Sequence, residues 1–211
     1  MLRTENLAFT YPKGASFNFP DWKAEQGEQW LVSGISGSGK TTFLHLLAGL
    51  IRPHSGKIFI NEKSINQMPQ SQLDRFRGGN IGMIFQKNYF INSINMKQNL
   101  LVTQTLPGFE KDLVYFDELI AELGIDDKQH QRPTTLSQGE LQRFSVARAL
   151  VNKPAILMAD EPTSSLDDAN CDAFVKLITS VASRYRTILI IATHDARLKR
   201  IFNTRYELQK A

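Results

Sequence analysis

A single cysteine and the absence of any long hydrophobic run exclude several classes of protein for this 211-residue chain. Cys171 has no second cysteine with which to form an internal disulfide, and no cysteine–histidine cluster has the spacing of a metal site. Such low cysteine usage is typical of a reducing compartment such as the cytoplasm. The longest apolar runs, "AILMA" and "ILIIA", have the length of a strand, whereas a helix needs roughly 18 apolar residues to span a bilayer. We therefore expect no transmembrane segment.

The sequence also lacks internal repeats, low-complexity tracts and blocks of like charge. Because 42% of its residues are hydrophobic and 22% are charged, the chain can bury a core and is not expected to be disordered. The formal net charge of +4 is small for a chain of this length. No run rich in lysine and arginine alternates with aromatic residues, so we expect no nucleic-acid partner.

Three apolar runs each end at residues suited to binding chemistry. "WLVS" ends at Gly34, "AILMA" ends at Asp160 and "TILIIAT" ends at His194. Near-continuous apolar runs are typical of central strands in a parallel sheet, which is buried on both faces. Ligands of such sheets bind at the carboxyl ends of the strands. The sequence therefore predicts that these three positions lie together at one edge of a parallel sheet.

The remaining patterns predict an α/β fold with two additions to this parallel core sheet. In the first thirty residues, "NLAFTY" and "SFNFP" alternate apolar and polar residues, which predicts a small antiparallel β subdomain. From about 87 to 150 the periodicity is helical, clearest in "DLVYFDELIAELGI", which Gly124 would end as a cap. We predict one domain over 1–211, with an α/β core from 1–86 and 151–211 and an inserted helical subdomain.

The stretch "GISGSGKTT" follows the first of these strands and precedes a helical pattern, "KTTFLHLLAGLI". Its glycines let backbone N–H groups converge on phosphate oxygens, and the helix N-terminus favours the same anion. Lys40 can reach the β- and γ-phosphates of a nucleotide, and the Thr41 hydroxyl can ligate Mg²⁺. The predicted nucleotide-binding residues here are Gly34, Ser36, Gly37, Ser38, Gly39, Lys40, Thr41 and Thr42. The helix is expected to bury one face formed by Phe43, Leu46, Leu47 and Leu50.

The stretch "ADEP" places two carboxylates directly after a buried strand. In a phosphate-loop enzyme, an aspartate at this place holds the Mg²⁺ shell, and a glutamate beside it can polarise a water towards the γ-phosphate. Taken alone, "ADEP" is also consistent with an ordinary strand-to-turn junction. Together with the phosphate loop it favours a metal-binding Asp160 and a catalytic Glu161.

A capping box accounts for part of the stretch "LSQGELQRFSVARAL". Ser137 and Glu140 have the spacing at which each side chain bonds the other residue's backbone N–H at the start of a helix. Capping does not explain Gly139, because glycine in the first turn of a helix reduces its stability. A glycine here indicates that something approaches the backbone closely, and a helix N-terminus beside a serine hydroxyl suits a phosphate.

Taken together, these stretches resemble the motifs of ABC-type ATPases, and the resemblance covers nearly the whole chain. "LSQGE" with "QRFSVARAL" resembles the family's signature motif, and Gln86 in "IGMIFQ" resembles its Q-loop glutamine. "SSLD", which ends at Asp167, resembles the D-loop, and His194 matches the switch histidine. Tyr11 in "FTYP" lies at the place of the aromatic that stacks on adenine.

The assignment of the adenine contact has two nearby alternatives. Phe9 and Phe17 are also aromatic and lie within a few residues of Tyr11. We favour Tyr11 because its ring, next to a turn proline, can keep an accessible face for stacking.

The resemblance implies a P-loop NTPase that binds ATP between two head-to-tail copies, as a homodimer or a pseudo-symmetric dimer. Each ATP would contact the phosphate loop of one subunit and Ser137, Gln138 and Gly139 of the other. Asp167 would act across the dimer interface. The family's usual signature is Leu-Ser-Gly-Gly-Gln, so this chain departs from it at Gln138 and Glu140. The bulkier Gln138 could either block the partner's nucleotide or add a hydrogen bond to it.

The resemblance also implies the reaction, Mg²⁺-dependent hydrolysis of ATP to ADP and phosphate. Glu161 would act as the general base, and His194 would contact the γ-phosphate and hold the geometry. Lys40 would contact the phosphates. Gln86 would sense the Mg²⁺ ion and the attacking water and couple the site to a membrane partner.

Within this family, "QRPTTLSQGELQRFSVARALVNKPAILMADEPTSSLD" most resembles ATPases of the lipoprotein-releasing and macrolide-exporter type, together with the related cell-division ATPase. We expect an ATPase subunit that drives a separate transmembrane permease, for lipoprotein or lipid release or export. It would lie peripherally on the cytoplasmic face of the inner or plasma membrane. The alternative is an ATP-gated regulatory module that acts on a membrane partner with little transport, as in cell division.

Two other classes explain the sequence less well. A chromosome-maintenance ATPase would need long heptad coiled coils between the phosphate loop and the signature, and the sequence has none. A phosphate-loop kinase would explain Lys40 but would leave "LSQGE" and His194 without a role.

Overall fold

A parallel β-sheet forms the centre of the chain in the computed structural model, which describes residues 1–12 and 14–209. Its strands are β4 Gln29–Ser33, β7 Ile81–Ile84, β8 Ile156–Asp160, β9 Ile188–Thr193 and β10 Arg205–Glu207. They lie in the order β10-β4-β9-β8-β7, and each neighbouring pair is parallel. The apolar runs of the sequence analysis correspond to the three inner strands β4, β9 and β8.

Both faces of this sheet are covered by apolar side chains. Every residue of β8 and β9 is buried. Along β8, Ile156 and Met158 belong to one apolar cluster, whereas Leu157 and Ala159 belong to the other. Because successive side chains of a strand point to opposite faces, this alternation shows a sheet that lies between two packed layers.

Helices supply much of both layers. They are α1 Lys40–Leu47, α2 Gln70–Asn80, α3 Met96–Thr105, α4 Leu113–Glu122, α5 Gln138–Leu150, α6 Asp168–Arg184 and α7 Ala196–Lys199. Short 3₁₀ turns lie at Ile65–Gln67, Asp126–Lys128 and Pro133–Thr135. Helices α3 to α6 pack in one cluster, whereas α1 packs in the other. No helix among the described residues is long and apolar enough to span a bilayer.

A second, antiparallel sheet packs on the layer that contains α1. Its strands are β1 Leu2–Thr10, β2 Ser16–Phe19, β3 Trp22–Ala24, β5 Ser55–Ile60 and β6 Lys63–Ser64. The sequence predicted this sheet within the first thirty residues only. That extent is wrong because two of its strands lie further along the chain. The sheet also includes β5 and β6, because β5 pairs with β1 in a register that aligns Leu2 with Ile60. Such pairing between distant segments leaves little local signal in the sequence.

The helix after the phosphate loop is shorter than predicted. It ends at Leu47, and Gly49 adopts a left-handed φ of +62° that is typical of a helix C-terminus. Phe43, Leu46 and Leu47 are buried as expected, but Leu50 is 41% exposed. The inclusion of Leu50 in the buried face was wrong because the glycine turns the chain away before that residue.

The helical segment between β7 and β8 has the caps that its sequence predicted. Ser137 and Glu140 form a capping box at the start of α5, and Gly124 takes a φ of +62° just after α4. The α/β class with a parallel core sheet and an antiparallel sheet is confirmed. The boundary of a helical subdomain at about 87–150 stays a prediction, since α5 shares its apolar cluster with β8.

Candidate nucleotide-binding site

The register of the parallel strands brings three strand ends to one edge of the sheet. Ser33, the last residue of β4, lies opposite Thr193, the last residue of β9. Asp160, the last residue of β8, lies opposite Ala192. The residues that follow these strands are Gly34, His194 and Glu161. The edge predicted from the apolar runs is therefore present.

The loop after β4 folds around its own lysine. Gly37 and Gly39 have φ values of +80° and +91°, in the left-handed region that favours glycine. Lys40 is buried, and its Nζ donates to the carbonyl oxygens of Gly34 at 3.0 Å and Ile35 at 3.1 Å. The same Nζ lies 4.0 Å from Glu161 Oε1. The ammonium group is thus held between the loop backbone and a carboxylate.

The two loop serines lie in different surroundings. Ser36 is exposed at the loop tip, whereas Ser38 is 2% exposed and packs against the start of the loop. A Cβ added at Gly34 would lie 2.4 Å from Ser38 Oγ, so this position accepts only glycine. Helix α1 begins directly after the loop at Lys40, which directs a helix N-terminus towards it.

Thr41 and Asp160 form a pair of oxygen donors beside the loop. Thr41 Oγ1 donates to Asp160 Oδ1 at 3.1 Å. Burial raises the pKa of the Asp160 carboxyl because its charged form loses hydration, and the hydrogen bond from Thr41 opposes this effect. A cation here would offset the cost of the buried charge.

The donor set at this position fits Mg²⁺. Mg²⁺ prefers oxygen ligands and is commonly held by one or two carboxylates together with the phosphates of a nucleotide. The hydroxyl of Thr41 and the carboxylate of Asp160 are ligands of this kind. Within residues 1–12 and 14–209, no group of three or more histidine, cysteine, aspartate and glutamate side chains could hold a metal by itself.

Glu161 is fixed by the end of the neighbouring strand. Thr193 Oγ1 donates to Glu161 Oε2 at 2.7 Å, and His194 Nδ1 lies 2.8 Å from Glu161 Oε1. The backbone N–H of Glu161 donates to Ala192 O at 2.8 Å. The φ of Glu161 is +48°, a left-handed conformation that is strained for a residue with a side chain. The carboxylate is therefore held in one orientation, with the exposed His194 ring on its outer side.

Gln86 contacts this site through a serine. It follows β7, and its Nε2 donates to Ser164 Oγ at 3.3 Å. Ser164 Oγ in turn donates to the backbone oxygen of Glu161 at 3.0 Å. The predicted sensor of Mg²⁺ and water is thus linked to the backbone of Glu161 rather than to Thr41 or Asp160.

Tyr11 lies beside the loop with an accessible ring. Its Oη lies 3.0 Å from Thr42 Oγ1, which connects β1 to the first turn of α1. Tyr11 is 41% exposed, whereas Phe17 is only 8% exposed. Phe9 packs its ring edge-on against Tyr11 at a centroid distance of 4.7 Å and is partly buried. Of the three aromatics, Tyr11 has the most accessible face.

The signature residues have no role in this cluster within one chain. Ser137 Oγ donates to Glu140 Oε2 at 2.7 Å, in the capping box of α5. Ser137, Gln138 and Gly139 are exposed, and a Cβ added at Gly139 would have no heavy atom within 4 Å. The expected close approach to the Gly139 backbone is therefore not made by any described part of the same chain.

Asp167 also lies outside the cluster. It caps α6, accepting hydrogen bonds from Asn170 N at 2.8 Å and from Asn170 Nδ2 at 2.8 Å. These bonds lower the pKa of its carboxyl. Asp167 is exposed and charged at the surface, and its predicted role across an interface stays a prediction.

Two residues of the cluster were missed in the sequence analysis. Thr193 holds Glu161, and Ser164 links Gln86 to Glu161. Thr193 was counted only as the end of an apolar run. Its hydroxyl, directly before His194 in the sequence, was a signal that could have identified it as a site residue. Ser164 lies in an unremarkable polar turn, and its contacts depend on tertiary structure.

The sequence model of the ABC transporter family matches residues 17–164 of this chain. The matched span contains the phosphate loop, Gln86, the "LSQGE" stretch, Asp160 and Glu161. The chain therefore belongs to the ABC transporter family. It is an ATP-binding cassette that hydrolyses ATP.

Curated relatives have a common name. The lipoprotein-releasing system ATP-binding protein LolD of Buchnera aphidicola is 38% identical over 197 residues, covering 92% of this chain and 83% of that protein. LolD of Treponema denticola is 30% identical over 209 residues, covering 98% of this chain and 92% of that protein. The predicted resemblance to the lipoprotein-releasing group is confirmed, and these relatives do not favour the cell-division alternative.

Solved structures of one bacterial ABC transporter cassette, MJ0796, have the same fold. Its dimeric structure superposes with a TM-score of 0.86 at 25% identity, covering 99% of this chain and 94% of that chain. A dimer in a post-hydrolysis state bound to ADP and Pi superposes with a TM-score of 0.85 at 26% identity, with the same coverage. The likeness extends over the whole described fold.

Gly39→Ala should weaken ATP binding, and Gly139→Ala should not. A Cβ at Gly39 would lie 2.6 Å from Phe17 Cδ1, and the residue has a φ of +91°. Strain of this kind costs about 1–3 kcal/mol, so we expect an affinity loss of about fivefold or more. Titration of the monomer with a fluorescent ATP analogue checks this. Equal affinity of Gly39→Ala and wild type would contradict the geometry of the loop.

Asp160→Asn should raise the melting temperature of the nucleotide-free protein at neutral pH. The pKa of Asp160 is raised on folding, so its carboxyl destabilises the fold increasingly as pH rises above the ordinary value of 3.8. The neutral amide still accepts from Thr41 but buries no charge. The difference from wild type should vanish at about pH 4 and grow towards neutrality. Thermal unfolding across this range measures it, and a lower melting temperature of the variant at pH 7 would contradict the prediction.

Proposed function

We propose that this chain is the ATPase subunit of a lipoprotein-releasing ABC transporter, and that two copies close head to tail on ATP. One observation carries the proposal. The phosphate loop, Asp160 and Glu161 form one half of a nucleotide site, while Ser137–Gly139 present an exposed helix N-terminus that lies outside that half. A second copy of the chain would supply the missing half to each site.

The phosphate-binding half would act through Lys40, Tyr11 and the backbone of the loop. Phosphate oxygens would replace the carbonyl oxygens of Gly34 and Ile35 as acceptors for Lys40 Nζ. Tyr11 would stack on the adenine, since its ring remains accessible beside Thr42. Backbone N–H groups between Ser36 and Thr42 would bind the remaining phosphate oxygens.

Hydrolysis would depend on the carboxylate that Thr193 and His194 hold. Glu161 would take the proton of the attacking water, and its fixed orientation would keep the accepting oxygen aimed at that water. His194 would contact the γ-phosphate from the outer side. Mg²⁺, held by Thr41 and Asp160 with Gln86 reaching it or the attacking water, would neutralise charge on the phosphates when bound.

The second copy would complete the site with its signature helix. Ser137 and the α5 N-terminus would bind the γ-phosphate across the interface, because an exposed helix N-terminus and a hydroxyl suit an anion once the capping contact of Glu140 is exchanged for it. Gly139 would permit close approach, since nothing in its own chain lies within 4 Å of an added Cβ. Gln138 would add a contact to the partner's nucleotide, and Asp167 would contact the partner near the closed interface.

The transmembrane permease would contact a cleft beside the Q-loop, which would keep the ATPase on the cytoplasmic membrane face. The cleft has a volume of about 650 Å³, and its lining includes Leu50, Met83, Phe85, Leu106 and Arg148. Leu106 is 80% exposed and Leu50 is 41% exposed, so apolar surface is available at its rim. Phe85 lines the cleft and directly precedes Gln86. Movement of the permease against Phe85 would therefore reach Gln86 and, through it, the edge of the sheet that carries Glu161.

Glu161→Gln should bind ATP, lose most turnover and accumulate as an ATP-dependent dimer. The amide cannot take a proton from water, so the closed state would persist. Size-exclusion chromatography with light scattering, with and without ATP, measures the dimer. Adding Ser137→Arg should abolish it because positive bulk would enter the partner's site, whereas adding Val114→Arg on the exposed start of α4 should not. ATP-dependent dimerisation of the protein that carries both Glu161→Gln and Ser137→Arg would contradict the head-to-tail arrangement.

Tagged Glu161→Gln protein should recover a permease from native membranes when ATP is present. Mass spectrometry of the captured material identifies the partner, and a membrane permease with a large extracytoplasmic domain is expected. Leu106→Glu in the same background should reduce recovery, since it puts a charge on the rim of the cleft. Val114→Glu, at an equally exposed apolar position outside the cleft lining, is the matched control. Recovery of division-apparatus proteins alone would contradict the transport role.

A further inference from the structure

The guanidinium of Arg197 joins the segment that follows β8 to the segment at the end of β9, at the edge of the sheet where Glu161 and His194 lie. Its Nη2 donates to Asp195 Oδ2 at 2.7 Å, and its Nε donates to Asp195 Oδ1 at 3.0 Å. The same group donates to the backbone oxygens of Thr163 at 3.3 Å and Leu166 at 3.2 Å. Its Nη1 also donates to Asp168 Oδ1 at 2.7 Å. One side chain therefore spans the whole stretch from Thr163 to Asp168.

The partners of Arg197 continue directly to Glu161. Asp195 Oδ2 accepts from Thr163 Oγ1 at 2.8 Å, and the Asp195 N–H donates to Thr193 Oγ1 at 3.0 Å. Thr193 Oγ1 donates to Glu161 Oε2 at 2.7 Å. A continuous set of hydrogen bonds thus leads from Arg197 to the carboxylate proposed as the general base.

The position of this network distinguishes it from an ordinary surface ion pair. The Asp195 side chain is 12% exposed and that of Arg197 is 31% exposed, whereas Asp168 is 92% exposed. An ion pair as exposed as that with Asp168 contributes little. The inner bonds are held by a planar guanidinium that only arginine supplies. They also lower the pKa of Asp195 to about 2, so its carboxylate stays charged at neutral pH.

We propose that Arg197 is a positioning residue that locks the segment Thr163–Asp168 to the segment Thr193–Asp195. Asp167 lies in the first segment and His194 lies in the second. If the dimer interface fixes the position of Asp167, Arg197 therefore transmits that position to Glu161 and His194. This inference rests on the proposed head-to-tail dimer. Arg197 acts on Glu161 and His194 through Asp195 and Thr193, and touches no reacting atom itself.

Arg197→Lys tests the lock without removing the positive charge. A lysine can pair with Asp195, but a single ammonium cannot also hold the backbone oxygens of Thr163 and Leu166. We expect kcat per ATP-binding site to fall about fivefold or more, while KM and the affinity for a fluorescent ATP analogue change less than about twofold. The sites are counted by titration with that analogue. Arg197→Met should lower kcat further, and Arg200→Lys, directly after the same short helix, should leave it unchanged.

A purely structural role would give a different pattern. It would lower the melting temperature and the number of binding-competent sites while leaving kcat per site at the wild-type value, and that result would overturn the proposal. Wild-type kcat per site in Arg197→Lys at normal stability would overturn it as well. Glu161→Gln combined with Arg197→Lys should still dimerise on ATP. If Glu161→Gln alone forms no dimer, the proposed function fails, whereas a dimer with unaltered kcat in Arg197→Lys contradicts only the lock.

Discussion

The in-register pairing of β4, β9 and β8 is the constraint on which the rest of the structure depends. Three strands of a parallel sheet end at the same level because Ser33 lies opposite Thr193 and Asp160 lies opposite Ala192. Since side chains alternate between the faces, a shift by one residue would reverse which side chains face each layer. The same shift would separate the phosphate loop from the carboxylates. Packing of the two apolar layers therefore also sets the distances between the loop after β4 and the side chains that follow β8 and β9.

The strain at Glu161 is a direct result of this constraint. Its backbone N–H continues the ladder to β9, and its side chain must reach Thr193 and His194 on the same neighbour. A left-handed φ of +48° satisfies both requirements at a conformational cost. The surrounding hydrogen bonds to its carboxylate and backbone hold this conformation. The structure thus holds the Glu161 carboxylate in one orientation, while residues 137–139 at the start of α5 remain exposed outside this cluster.

Much of this organisation could be predicted from the sequence because it depends on local rules. Apolar runs predicted the central strands, glycine spacing predicted the loop between β4 and α1, and Ser137 with Glu140 predicted a helix start. Features that depend on distant segments could not be predicted. The pairing of β5 with β1 and the contacts of Ser164 and Arg197 arise only when separate parts of the chain meet. Gly49 was a local signal for the end of α1, but it was overlooked because apolar residues continue after it.

The hydrogen bonds of Lys40 have a consequence for how tightly a nucleotide can be held. Its ammonium already donates to two backbone oxygens and lies near a carboxylate, so a phosphate must compete with partners inside the protein. Breaking these bonds would use part of the binding free energy, so we expect a lower affinity for the nucleotide than a free ammonium group would give. The same internal partners would bind the lysine again after a phosphate product leaves. Internal competition of this kind would speed release of a highly charged product and so favour repeated turnover.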